Sequence, residues 1–173
     1  EDGDFIVDRL YAGDLFGNVW AFDLSSSNEA QWVSAYGSGN SPQPLFSAEV
    51  ANVAQPITSD LKVKIHPSSD GFLIYFGTGK YLGKSDLIDS SQQTFYAIWD
   101  RMSNNTNGFT RSQLLPQTVS VHSTASTDLR GRVVSKTPIQ WDDGSNPVQS
   151  PEKLGWYIDL PESGERVHQA PTL

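Results

Sequence analysis

The 173 residues carry 12 Lys and Arg against 20 Asp and Glu, a formal net charge of −8, and no cysteine. That balance repels phosphate backbones, so a nucleic-acid role is set aside, and the lack of thiols excludes a disulfide framework, a thiolate metal site and a cysteine nucleophile. At 37% hydrophobic residues the chain can bury one sizeable core, while its longest apolar run, Phe72-Leu73-Ile74-Tyr75-Phe76, falls far short of the ~18 residues of a membrane-spanning helix, so no transmembrane segment is read.

The first element is an acidic loop, Asp2-Gly3-Asp4-Phe5-Ile6-Val7-Asp8. Carboxylates at this spacing converge around a hard cation when alternate residues face inward, as in an EF-hand loop with side chains at positions 1, 3, 5 and 9 and a carbonyl at 7. With Asp2 as position 3, the donors are Asp2, Asp4, the carbonyl of Ile6 and Asp8. The usual Gly at position 6 is Phe5, and no helical pattern flanks the loop, so a helix-flanked EF-hand is not expected. Spacing alone leaves two readings open, a calcium loop and a solvated acidic turn.

Beyond the loop the chain reads as all-β. Short aromatic and β-branched runs alternate with Gly, Asn, Asp, Ser and Pro clusters. Strands are expected at 9–13, 18–24, 31–36, 45–49, 57–66, 72–77, 94–100, 115–121, 132–139 and 155–160, with polar surface loops at 102–111 and 142–153. A weak repeat runs through them. Tyr11-Ala12-Gly13 recurs as Tyr75-Phe76-Gly77, and Val19-Trp20-Ala21-Phe22-Asp23-Leu24 finds echoes in Tyr96-Ala97-Ile98-Trp99-Asp100 and in Gly155-Trp156-Tyr157-Ile158-Asp159-Leu160. An inner strand ending in Gly beside an outer strand carrying Trp and closing on Asp follows the logic of a propeller blade. The expected fold is part of a modified β-propeller spanning 1–173, about three blades of four-stranded antiparallel sheet with the calcium loop at 1–8. Propellers close with about four to eight blades, so the chain reads as a piece of a larger ring.

Other motifs resolve to structural duty. Asp14, Gly17, Asn18 and Trp20 resemble a quinoprotein blade signature, in which Asp holds turn amides and Trp docks between blades. Gly77-Thr78-Gly79-Lys80 fails the phosphate-loop pattern, because Ile74 replaces its first Gly and Tyr81 follows the Lys, so a turn is expected. His66, His122 and His168 lack any metal-ligand spacing, and no G-x-S-x-G elbow supports nucleophilic catalysis.

Residues 3–24, GDFIVDRLYAGDLFGNVWAFDL, resemble the PilC/PilY family of type IV pilus biogenesis proteins in its C-terminal propeller. The likeness continues in family order through Pro44-Leu45-Phe46-Ser47-Ala48, Gln55-Pro56-Ile57-Thr58-Ser59, Tyr75-Phe76-Gly77-Thr78-Gly79-Lys80-Tyr81-Leu82-Gly83, Gln93 to Asp100, Gly155 to Leu160 and Gly164-Glu165-Arg166-Val167. The resemblance implies a propeller with a Ca2+ loop whose occupancy is tied to pilus extension and retraction. It also implies a role in twitching motility and adhesion, at the outer membrane, cell surface and pilus tip. Pilin or minor pilin subunits and a host-cell or abiotic surface would be the partners. Carried over by position, the calcium ligands are Asp2, Asp4, Ile6 through its carbonyl, and Asp8; the family's first ligand has no counterpart in this sequence. The expected role is non-enzymatic. Two alternatives stand beside it: a calcium-dependent quinoprotein dehydrogenase, whose family uses a vicinal disulfide that a cysteine-free chain lacks, and a metal-free scaffold propeller.

Overall fold

The computed structural model describes residues 7–68, 71–102, 107–123, 130–141 and 153–172, with backbone alone at 121–123 and 130. Two five-stranded sheets carry the fold. The first begins with β1 (Arg9–Gly13) paired antiparallel to β2 (Asn18–Asp23), which is flanked by the two-residue β3 (Val33–Ser34). After a small hairpin of β4 (Gly37–Ser38) and β5 (Ser41–Pro42), β6 (Phe46–Ser47) joins the first sheet on β2. A second hairpin, β7 (Glu49–Val50) and β8 (Val53–Ala54), turns through Ala51 and Asn52 at φ of 49° and 63°. Two consecutive positive φ values suit the tight primed turns of hairpins.

The second sheet has β10 (Phe72–Gly77) and β11 (Thr94–Asp100) at its centre and β9 (Lys62–Ile65) on one edge. After β12 (Phe109–Thr110), which pairs in parallel with β6, the chain continues as β13 (Leu115–Gln117). A hairpin of β14 (Val119–Ser123) and β15 (Arg130–Val134) follows, and β16 (Gly155–Asp159) lies between β11 and β13, antiparallel to the former and parallel to the latter. The central strands read FLIYFG and TFYAIWD and are apolar on both faces, as strands covered on both sides must be. Among the described residues no α-helix occurs, and three short 3₁₀ turns complete the elements.

The core lies between the sheets. Phe46 of the first sheet is fully buried, its ring 5.2 Å from Tyr96, 5.3 Å from Phe109 and 6.1 Å from Phe76. Phe76 and Tyr96 stack on each other at 5.1 Å. The tilted and edge-on contacts are those aromatic rings prefer. Beside them a polar tie crosses the same interface: buried Gln55 donates to Thr94 Oγ1 at 2.8 Å and accepts from the Tyr96 hydroxyl at 2.5 Å.

The all-β reading and the partial propeller hold, and strands 9–13, 72–77 and 94–100 match β1, β10 and β11 residue for residue. Three expectations are corrected. The 57–66 strand shrinks to β9, because Ile57 and Ser59 are buried in an extended stretch that bonds to loops instead of to a ladder, as in Ile57 N to Asp14 O at 2.9 Å. The loop expected at 102–111 contains β12, and its Phe109 is core, pressed on Phe46. The Gly155–Leu160 echo, expected to found a third unit, is instead a strand of the second sheet, because its ladder bonds go to β11. The expected loop at 142–153 lies, except for Lys153, outside the described residues.

Candidate functional site: the acidic loop exit and the node behind it

Asp2, Asp4 and Ile6 lie outside the described residues; Asp8, the last expected ligand, is described and half-exposed. Its carbonyl accepts from Leu24 N at 2.8 Å, extending the β1–β2 ladder by one step and fixing the backbone where the loop enters β1. Among the described residues no group of three or more His, Asp or Glu is placed to hold a metal ion. The donor set read from the sequence is all oxygen, three carboxylates and a carbonyl, which is the chemistry a hard cation such as calcium takes.

Alternation along β1 decides what stands behind that loop. Arg9, Tyr11 and Gly13 share one face because successive side chains in a strand point to opposite sides. This face meets the second sheet. Gly13 lies so close to Ile57 that a Cβ would come within 2.4 Å of its Cγ2, and the Tyr11 ring sits edge-on to Phe72 at 6.4 Å. Arg9 and Tyr11 both reach Asp100, the last residue of β11, which is fully buried. Asp100 Oδ2 accepts from Arg9 Nη2 at 2.8 Å and from the Tyr11 hydroxyl at 2.7 Å; Oδ1 accepts from the Tyr36 hydroxyl at 2.5 Å and from Met102 N at 2.8 Å. Four donors on two oxygens are what a desolvated carboxylate requires.

The electrostatics reinforce this node. Burial opposes the charge on Arg9, yet Asp100 outweighs it and holds the guanidinium pKa above its ordinary value. Burial and then the Asp100 charge push the hydroxyls of Tyr11 and Tyr36 far up, so both are donors at any working pH. The Arg9 guanidinium also lies 6.0 Å from the Tyr11 ring centre and 5.9 Å from that of Tyr36, within cation–π range. Sequence reasoning missed Asp100 as a partner of Arg9. The signal was the Asp closing each outer strand of the repeat: Asp159, its counterpart, pairs with Arg111 at 2.5 Å while that guanidinium lies 3.7 Å from the Tyr157 ring centre.

Asp14 holds the turn amides as expected, whereas the hydrogen bond made by Trp20 is to its own turn and not across blades. Asp14 Oδ1 accepts from the amides of Phe16 and Asn18 at 2.8 and 2.9 Å, and Oδ2 from Asn18 Nδ2 at 3.0 Å and Trp20 Nε1 at 2.9 Å. Trp20 is half-buried and tied to this turn. Burial works against the Asp14 charge, but the indole and amide donors outweigh it and hold the carboxyl below the ordinary carboxylate range. A depressed folded-state value means the stabilisation is fully present above about pH 4, the ordinary unfolded value, and is lost as pH falls through the folded one. Asp14→Ala is therefore expected to lose about 1–3 kcal/mol at neutral pH and to flatten the acid limb of stability below about pH 4, read by urea unfolding across a pH series.

The Gly77–Lys80 segment is a turn with its backbone in use. Thr78 exchanges bonds with Thr94, Gly79 N donates to Pro56 O at 2.7 Å, and Gly79 O accepts from Thr58 Oγ1 at 2.8 Å. Val167 N closes onto Thr78 O at 2.9 Å. Of the histidines, His66 is buried, stacked 4.2 Å from Trp99 and edge-on to Trp141 at 4.5 Å, in a core role; His168 is exposed, and nothing is described of the His122 side chain.

The chain is 37% identical over 166 residues to a type IV pilus biogenesis factor PilY1 homolog of Xylella fastidiosa, covering 95% of this chain and 10% of that protein. It is 35% identical over 188 residues to type IV pilus biogenesis factor PilY1 of Pseudomonas aeruginosa PAO1, covering 94% of this chain and 16% of that one. It thus spans a small part of the curated relatives it matches. The crystal structure of the Pseudomonas aeruginosa PilY1 C-terminal domain superposes with a TM-score of 0.73 at 32% identity, over 94% of this chain and 38% of the other. The PilY1 beta-propeller domain family matches residues 1–129, and the chain, with its paired sheets and blade-like repeat, belongs to that family.

Proposed function

We propose that this chain is a calcium-binding segment of the C-terminal β-propeller of a type IV pilus biogenesis factor and tip adhesin. It acts without catalysis in the control of pilus extension and retraction, in twitching motility and in surface adhesion. The observation that carries this reading is the match of nearly the whole chain to pilus biogenesis factors, with the acidic loop leading directly into β1. Asp2, Asp4, Asp8 and the Ile6 carbonyl would hold the ion, which supplies positive charge against the mutual repulsion of three carboxylates. The chain's own residues do the rest. The Asp8–Leu24 backbone bond sets the loop exit on the first sheet, and Arg9 and Tyr11 carry its position to Asp100.

Such a segment works at the cell surface or pilus tip, where pilin or minor pilin subunits and a host-cell or abiotic surface are its partners. The test is complementation of a bacterium whose own homologous factor is deleted, using the full-length protein with and without Asp8→Ala. Smaller twitching zones at unchanged protein level are the expected result. Twitching equal to that of the unsubstituted protein would overturn the calcium-regulated reading and leave a metal-free scaffold.

A further inference from the structure

We infer that Asp100 is a positioning residue for the acidic loop, so that cation binding at the loop and closure of the buried node between the two sheets are thermodynamically linked. The inference rests on the calcium reading above and adds the route by which occupancy would reach the second sheet. Asp8 and Arg9 are adjacent in sequence: the first is a loop donor, the second is committed to Asp100 at 2.8 Å. Between them there is little slack, because Asp8 O is held by Leu24 N and Arg9 pairs in register with Asp23.

The node gathers Arg9 and Tyr11 from β1 of the first sheet and Tyr36 from the connection between β3 and β4 onto one carboxylate of the second sheet. Asp100 has donors on both oxygens, so a shift of β1 cannot be absorbed by rotating the carboxylate without losing a partner. Arg9 has less in hand. Its Nε is buried and has no hydrogen-bond partner among the described residues, so its hold on Asp100 rests on Nη2 and on the Tyr11 and Tyr36 rings. A strand fixed at its start by the Asp8–Leu24 bond and along its face by the node has one position that satisfies both. Whatever stabilises one end therefore favours the other, by the same factor in each direction.

The experiment titrates CaCl2 calorimetrically into the full-length protein and into its Asp100→Asn, Tyr36→Phe and Asp159→Asn variants, with amide exchange over residues 94–102 measured with and without calcium. Tyr36→Phe removes a single hydroxyl and keeps the fold where Asp100→Asn fails to. Asp159→Asn breaks the Arg111 pair and leaves the node intact. The expected result is an affinity about tenfold weaker for Asp100→Asn, a smaller loss for Tyr36→Phe, no change for Asp159→Asn, and slower exchange at the end of β11 when calcium is present. Calcium binding by the unsubstituted protein with unaltered affinity in folded node variants would overturn the linkage while sparing the calcium reading. Equal weakening in Asp159→Asn would assign the effect to general destabilisation and also overturn it. No binding by the unsubstituted protein would remove the calcium reading and the linkage together.

Discussion

Asp100→Ala is expected to lower the unfolding free energy by about 3–5 kcal/mol, the range for removing one partner of a buried ion pair. The substitution strands a largely buried guanidinium, its side chain 11% exposed, and leaves the hydroxyls of Tyr11 and Tyr36 without their acceptor. Burial, the largest cause of the raised values of both hydroxyls, persists once the carboxylate is gone and disfavours their ionisation as compensation. Urea unfolding at neutral pH reads the change as a lower midpoint at constant slope. The sheets should separate more readily, so the loss should appear at the same denaturant concentration in Trp fluorescence and in circular dichroism. A loss below about 1 kcal/mol would show that the node contributes no more than an exposed ion pair does.

Phe46→Ala carries the second large effect, about 3–5 kcal/mol. Phe46 lies in a strand of only two residues, so the ladder contributes little to holding it; its ring is what joins the sheets, touching Tyr96, Phe76 and Phe109. Truncation removes the contact area and leaves a cavity that three rigid rings cannot collapse to fill. Phe16→Ala is the matched control, since that residue is 78% exposed and its loss should stay within about 0.5 kcal/mol. Equal losses at the two positions would contradict the placement of the core between the sheets.

The parts of this fold that could be read from sequence are those whose signal is local. Residues 72–77 and 94–100 are long apolar runs bounded by Gly, Asp and Thr, and each became a central strand. Asp14 was legible as a turn holder because its partners lie within six residues. Apolar content misled at 57–66, where buried Ile57 belongs to an extended segment bonded to loops, and hydrophobicity alone does not separate that from a strand. The Ala51-Asn52 hairpin was missed because neither residue carries the Gly that marks such turns. Phe109 lay hidden in a polar stretch whose role depends on a parallel partner, Phe46, far away in sequence. The same distance explains the site. The spacing of Asp2, Asp4 and Asp8 is visible in one line of sequence, whereas Asp100 meets Arg9, Tyr11 and Tyr36 across 91, 89 and 64 residues. No periodicity reports a contact made between two sheets.

The central claim, that the acidic loop ahead of β1 holds calcium and anchors the edge of the first sheet, is tested most directly by calcium calorimetry on the full-length protein beside Asp8→Ala. Saturable binding between micromolar and millimolar calcium, lost in Asp8→Ala with the fold retained and accompanied by a higher melting temperature only in the unsubstituted protein, is the predicted result. A folded protein that shows neither binding heat nor thermal stabilisation by calcium would contradict the claim and reduce the loop to a solvated turn.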